Sequence, residues 1–102
     1  MPRIRSDRNA STDELFQAIL SLQDLDECCR FFGDLFTVQE LSAFAQRLQV
    51  ARMLSEGKTY ETIRTEISTS SSTITRVNTE LRYGSGGYQM VLERLQKLPL
   101  SE

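Results

Sequence analysis

The chain has 102 residues, of which 39% are apolar and 25% charged, with a formal net charge of −2. This size and composition are typical of one globular domain and exclude a disordered chain. No stretch approaches the run of about 18 apolar residues that spans a membrane, and the N-terminus lacks the apolar segment of a signal peptide. We therefore predict a cytoplasmic protein without membrane association.

The residues that most often carry catalysis or hold metals are scarce. The chain has no histidine, and its only cysteines are the adjacent Cys28 and Cys29. The commonest general base is therefore missing, and so is a plausible set of soft metal ligands. We predict no enzymatic activity, no cofactor and no metal site. The two cysteines are predicted to be buried thiols in a reducing compartment.

Charge is distributed unevenly along the chain. Residues 10–40 carry seven acidic side chains and only Arg30, a net charge of −6, whereas residues 41–97 carry eight basic and five acidic side chains, a net charge of +3. This asymmetry permits an anionic partner for the second half without requiring one. Residues 1–10 form a predicted flexible basic arm, which either reaches a DNA minor groove or is a solvated end.

Helical periodicity dominates, and no strand pattern appears, so we predict six helices. Capping and stop signals bound the first three: Ser11 with Glu14, Asp24 with Glu27, Thr37 with Glu40, and Gly57. A short helix over 59–68, another after the serine-rich run and a last one over about 87–97 follow. We expect a single domain over 11–99 and a tail over 100–102.

Six hydroxyl residues stand in a row from Ser68 to Thr73, between two short amphipathic segments. The apolar positions on either side are Ile63, Ile67, Ile74 and Val77. Their spacing is that of a helix-turn-helix, here predicted over about 59–82. Serine and threonine favour the turn, and Ser70 or Ser71 can cap the second helix. An ordinary helical hairpin with a polar corner stays the alternative.

The order of elements resembles the Trp repressor family, and within it the YerC/YecD branch. The resemblance is strongest over 35–97. It is carried by the helix opening at 35–37, Arg47 in mid-helix, the Leu54 and Gly57 ending, TITR at 73–76 and the glycine-rich YGSGGY at 83–88. It implies an all-α, six-helix Trp repressor-like fold, and an intertwined homodimer that binds double-stranded DNA.

A homodimer would also explain the aromatic content of the first half. Phe31, Phe32, Phe36 and Phe44, with Leu48, are more apolar surface than one small chain needs, and an obligate interface would cover them. The alternative is a core within one chain.

DNA-contact roles carry over from the family by position. The implied contacts are Arg64, Ser71, Ser72, Thr73, Thr75 and Arg76, with Asn78 and Thr79 as neighbours on the exposed face. In this interpretation Arg64 is a phosphate ligand; the alternative is a solvated surface charge.

This chain departs from the family's pattern at the ligand pocket. Its positions match Thr37, Arg47, Arg76, Val77 and Glu80. Val77 stands where the family has the glycine that makes room for indole, so we expect a filled pocket and no tryptophan corepressor. Glu80 leaves open some other cationic ligand, and a small-molecule effector is unknown.

Two functions are compatible with the sequence. The first is a sequence-specific transcriptional regulator, with repression as the simpler mode. The second is a helical protein–protein interaction module that keeps the fold without specific DNA binding. The second is favoured by the net charge of only +1 over residues 58–83.

Overall fold

The structure is a computed structural model that describes residues 8–97, and throughout this range the secondary structure is helical without strands. The six helices are α1 (Ala10–Leu20), α2 (Leu25–Leu35), α3 (Val38–Ser55), α4 (Tyr60–Ile67), α5 (Ser71–Tyr83) and α6 (Gly87–Gln96). The predicted all-α class with six helices is confirmed.

The chain divides into two compact units, and the division falls within α3, between Phe44 and Ala45. We call the described residues 8–44 the first unit and the described residues 45–97 the second unit. The single domain expected over 11–99 stays a prediction.

The first helix begins earlier than predicted. Asn9, not Ser11, is its N-cap: the Asn9 side chain accepts a hydrogen bond from the Thr12 amide at 3.0 Å, and the Thr12 hydroxyl accepts one from the Asn9 amide at 2.8 Å. The predicted box of Ser11 with Glu14 is therefore wrong. Asparagine caps a helix as well as serine does, and Thr12 three residues later completes a capping box with Asn9.

The basic arm is described only at its end. Residues 1–7, with Arg3 and Arg5, lie outside the described residues. Ala10, predicted to belong to the arm, is helical. The Arg8 Nε donates a hydrogen bond to the Asp13 carboxylate at 2.7 Å. That hydrogen bond and the Asp13 charge raise the pKa of the Arg8 guanidinium.

The second helix carries Phe31 and Phe32, two of the aromatic side chains of the first unit. Asp24 caps it, as predicted, by accepting a hydrogen bond from the Glu27 amide at 2.9 Å. The Phe32 ring stacks on Phe36 at a centroid distance of 5.5 Å, and Phe36 meets Phe44 edge-on at 5.0 Å. Despite these contacts, no residue between 8 and 44 is buried.

Both cysteines are free and lie on α2. Cys28 is half-buried, whereas Cys29 is exposed, so the predicted burial is wrong for Cys29. The reason is that the first unit has no buried interior in which α2 could place an inward side chain.

The long third helix begins and ends where the sequence predicts. The Thr37 hydroxyl accepts a hydrogen bond from the Glu40 amide, and the Glu40 carboxylate accepts one from the Thr37 amide. At the other end Gly57 has φ +86°, its amide donates to the Leu54 carbonyl, and the Lys58 amide donates to the Met53 carbonyl. This pair of bonds is a Schellman motif, which the left-handed glycine makes possible.

The second unit is built around one hydrophobic core. Its buried residues come from α3, α4, α5 and α6: Val50, Ala51, Met53, Leu54, Ile63, Ile74, Val77, Leu81 and Leu92. The inward positions predicted for the helix-turn-helix are thus confirmed, with Ile67 half-buried against this core. In α6 only Leu92 is buried, while Val91 and Leu95 are exposed. Leu98, Pro99 and the tail over 100–102 lie outside the described residues.

A close corner joins α5 to α6. A Cβ on Gly84 would lie 2.5 Å from the Glu80 carbonyl oxygen, so glycine is required there. From the first turn of α6, Gln89 reaches back and donates a hydrogen bond from Nε2 to the Leu81 carbonyl at 2.7 Å. The C-terminal end of α5 is therefore held by a side chain of the next helix.

Within residues 8–97, none of the helices is long and apolar enough to cross a membrane.

Candidate nucleic-acid interface

A three-residue turn, Ser68 to Ser70, joins α4 to α5. Ser68 has φ +59° and ψ +49°, the left-handed conformation that glycine usually occupies. Its amide donates to the Arg64 carbonyl at 3.0 Å and ends α4. Two packed helices joined by such a turn form a helix-turn-helix, and α4 does pack against α5. This is the arrangement predicted over about 59–82, whose bounds as a motif stay a prediction.

Ser70 organises the first turn of α5, the helix in the position of a recognition helix. Its hydroxyl oxygen accepts a hydrogen bond from the Thr73 amide at 3.2 Å, lies 3.0 Å from the Thr73 hydroxyl and lies 3.1 Å from the Ser72 hydroxyl. Ser70 is therefore the cap, and the run of hydroxyl residues has a local structural cause. The hydroxyls of Ser72 and Thr73 already have partners within this network.

The outer face of α5 is polar. Ile74, Val77 and Leu81 point into the core. On the remaining surface Ser71, Ser72, Thr75, Arg76 and Thr79 are exposed, while Thr73 and Asn78 are half-buried. This is the arrangement in which short donors and acceptors are presented to base edges and phosphates.

Hydrogen bonds within the helix determine which donors and acceptors of these side chains remain available to DNA. Within residues 8–97 the Ser71 and Thr75 hydroxyls have no hydrogen-bond partner. The Thr79 hydroxyl donates to the Thr75 carbonyl at 2.9 Å, which leaves its lone pairs to accept. Arg76 makes no ion pair with any residue of the same range.

Arg64 is exposed on α4 and forms an ion pair with Glu61, one turn earlier. Its side chain keeps 47% of its surface accessible and that of Glu61 keeps 76%. A pair this exposed contributes about 0–1 kcal/mol, so a phosphate group can replace the carboxylate at little cost. Both interpretations of Arg64, phosphate ligand and solvated charge, are compatible with this geometry.

Arg82 was not among the predicted contacts, and the structure adds it to the candidate site. The Arg82 Nε donates a hydrogen bond to the Asn78 side-chain oxygen at 3.0 Å. The pair belongs to a row along α5 with Ser71 and Thr75, because positions 71, 75, 78 and 82 recur at helical spacing. That spacing was the signal that could have identified Arg82.

The predicted pocket positions are spread over several environments. Thr37 lies in the first unit, where its hydroxyl caps α3. In the second unit Arg47 and Glu80 are half-buried, Arg76 is exposed and Val77 is 2% exposed. Val77 is thus part of the core, as its place in the apolar spacing predicts. The ligand role of these five residues stays a prediction.

None of the predicted site residues lines the open groove of the first unit. It is lined by Leu22, Glu27, Arg30, Phe31 and Asp34. Its lining gives no set of groups typical of a catalytic centre.

Comparisons with known proteins agree with the geometry. The profile of the Trp repressor protein family matches residues 10–96. YerC, an uncharacterized protein of Bacillus subtilis, is 52% identical over 90 residues, which cover 88% of this chain and 86% of YerC.

Two crystal structures share the fold. A candidate Trp repressor from Staphylococcus aureus is 46% identical with a TM-score of 0.85, over 91% of this chain and 93% of that one. A TrpR-like protein from Eubacterium eligens is also 46% identical with a TM-score of 0.85, over 91% and 96% of the two chains. The family is regulatory and binds DNA, which suits the polar outer face of α5. The chain belongs to the Trp repressor family.

Proposed function

We propose that the protein is a sequence-specific, DNA-binding transcriptional regulator that acts as a cytoplasmic homodimer and does not use tryptophan as a corepressor. Repression is the proposed mode, because it requires only that the protein occupy DNA that the polymerase needs. The observation that carries the proposal is the outer face of α5, which is polar along its length and exposed.

The chemistry of that face gives each side chain a role. The hydroxyls of Ser71 and Thr75 donate to or accept from base edges in the major groove. Thr79, whose proton is engaged, accepts from the amino group of adenine or cytosine. Arg64 and Arg76, together with Arg82, contact phosphates, which fix the register without reading sequence. Ser72, Thr73 and Asn78 support the interface at its edges.

The absence of a tryptophan requirement is proposed from Val77. Its side chain is 2% exposed and packs in the core of the second unit. A β-branched side chain there occupies the space that the family's glycine leaves for an indole ring. The regulator then binds DNA without a ligand in that space.

The homodimer is proposed from the exposed apolar surface of the first unit. Leu20, Leu25 and Val38 expose 76%, 83% and 82% of their surface. A soluble chain rarely leaves so many large apolar side chains in water unless another surface covers them. A second copy of the same chain supplies such a surface in the commonest symmetry of soluble oligomers.

The competing function is an interaction module that keeps this fold without specific DNA binding. The charge around the motif favours it, since residues 58–83 carry four basic and three acidic side chains. Each phosphate neutralised contributes about −0.9 to the slope of log affinity against log salt concentration. We therefore expect a shallow salt dependence even if DNA is the partner.

The double variant Arg64→Glu with Thr75→Ala separates the two functions. On a duplex that the wild type selects from a random pool, we expect it to lose at least about a hundredfold in affinity, because one phosphate contact becomes repulsive and one base contact of about 1–3 kcal/mol disappears. Lys97→Glu, which makes the same change of charge type at the end of α6, is the control. Unchanged DNA affinity of the double variant, with the dimer intact, would mean that other residues make the contacts, whereas a wild type that selects no duplex would support the interaction module instead.

A further inference from the structure

The last residue of α5, Tyr83, is the most exposed aromatic side chain between residues 8 and 97, with 78% of its surface accessible. Phe16 and Phe44, the next two, expose 50% and 43%. Neither the core nor the candidate contacts described above use Tyr83. A tyrosine in such a position presents a large apolar ring and a polar hydroxyl together, which suits an interface.

Tyr83 lies on the part of α5 that faces away from the core. At 3.6 residues per turn, positions 72, 79 and 83 fall within about 40° of one another, opposite the inward positions 74, 77 and 81. Tyr83 therefore continues the same face as Ser72 and Thr79, two of the candidate DNA contacts.

We propose that Tyr83 contacts the sugar–phosphate backbone of DNA at the edge of the groove that α5 enters; this inference rests on the proposed function. The rise of an α-helix places Tyr83 about 16 Å along the axis from Ser72. A major groove is only about 12 Å wide, and the N-terminal residues of a recognition helix are the ones that read bases. The far end of the helix therefore leaves the groove and lies beside the backbone.

The surroundings of Tyr83 select an anionic partner. Arg82 precedes it and Arg76 lies two turns earlier, and both are exposed. The single acidic residue of α5, Glu80, lies about 60° round the helix from Tyr83 but is half-buried, so the two exposed arginines outnumber it. The phenol hydroxyl, which has no hydrogen-bond partner within residues 8–97, is a suitable donor to a phosphate oxygen.

The corner after Tyr83 keeps the backbone of this residue in place. Gly84 admits no Cβ, because that atom would lie 2.5 Å from the Glu80 carbonyl oxygen, and Gln89 holds the Leu81 carbonyl at 2.7 Å. The end of α5 is therefore fixed at two points before any partner binds. A backbone that is already fixed loses less conformational entropy on binding than a mobile one does.

The test uses the full chain and the duplex selected by the wild type. Phosphates along the duplex are replaced one at a time by neutral methylphosphonates, and affinities are measured for the wild type and for Tyr83→Phe. Tyr83→Ala removes the ring as well. Tyr88→Phe is the matched control, because Tyr88 packs against the core of the second unit. Thermal unfolding of each variant establishes that it is folded.

We expect Tyr83→Phe to lose about tenfold in affinity, as for a hydrogen bond to a charged group, while Tyr88→Phe binds like the wild type. At one phosphate in each half-site, the methylphosphonate should weaken the wild type and leave Tyr83→Phe unchanged. Wild-type affinity in both Tyr83 variants would overturn the inference and leave the regulator proposal standing. So would equal sensitivity of both proteins to every methylphosphonate. If the wild type selects no duplex, the proposed function itself fails, and this inference fails with it.

Discussion

The two units use their apolar residues in opposite ways. The second unit buries nine residues in one core. The first unit buries none of residues 8–44, although it contains Leu20, Leu25 and Val38. Their charges differ too, with a net −5 over residues 8–44 and +3 over residues 45–97.

This difference assigns the stable core to the second unit and the exposed apolar surface to the first unit. The second unit has the buried interior that stabilises a small fold. The first unit has helix caps and an aromatic cluster, but its exposed apolar surface contributes to stability only when another surface covers it. One unit therefore carries the candidate DNA interface on a buried core, and the other carries the exposed apolar surface from which the homodimer is proposed.

The largest expected effect tests the core of the second unit. Ile74 is 0% exposed in α5, so Ile74→Ala should lower the free energy of unfolding by about 3 kcal/mol, through lost burial and the cavity left behind. Chemical denaturation measures this loss. Thr75→Ala, at the next and exposed position, is the control and should change stability by less than about 0.5 kcal/mol. Similar losses in both variants would contradict the division between core and outer face.

A second prediction concerns the apolar surface of the first unit. Leu25 and Val38 are the first residues of α2 and α3, where an aspartate suits the helix dipole. The double variant Leu25→Asp with Val38→Asp should keep its helices but raise the dissociation constant of the dimer at least about a hundredfold, since each lost apolar contact contributes about 1.5–3 kcal/mol.

Sedimentation equilibrium measures this dissociation constant, and circular dichroism follows the helices. Gln39→Asp, beside Val38 and exposed, should leave association unchanged. A wild type that is monomeric at all concentrations would show that something else covers the first unit, or that nothing does.

The smallest expected effect distinguishes two serines in the turn of the second unit. Ser68 is left-handed, so Ser68→Gly should stabilise the protein by about 0.5–1 kcal/mol. Ser70 is an N-cap, so Ser70→Ala should destabilise it by about 1 kcal/mol. Thermal unfolding should therefore shift in opposite directions for the two variants. Shifts in the same direction would mean that the turn geometry has been assigned to the wrong residues.

Much of the fold could be predicted because its signals are local. Thr37 with Glu40, Gly57 and Ser70 each act within one helical turn, and the apolar spacing around Ile74 identifies a face without knowledge of the rest. The boundary of α1 was missed for the same local reason, because Asn9 and Ser11 are equally good caps and the sequence does not rank them.

Other features depend on contacts between residues that are more than one helical turn apart in the sequence. The bond from Gln89 to the Leu81 carbonyl exists only because the chain turns sharply at Gly84. The exposure of Cys29 follows from the missing interior of the first unit, which composition does not reveal. For the candidate site, the outer face of α5 could be predicted, but the engagement of individual hydroxyls, such as that of Thr79, could not.

The most direct test of the central claim is the selection of bound duplexes from a random-sequence pool by the purified protein, run with and without tryptophan. We predict enrichment of a two-fold-symmetric motif with half-sites about 34–36 Å apart, bound at about 10⁻⁸ M or tighter and equally well without tryptophan. Absence of any enriched sequence under both conditions would contradict a DNA-binding regulator, and enrichment only with tryptophan would contradict the role proposed for Val77.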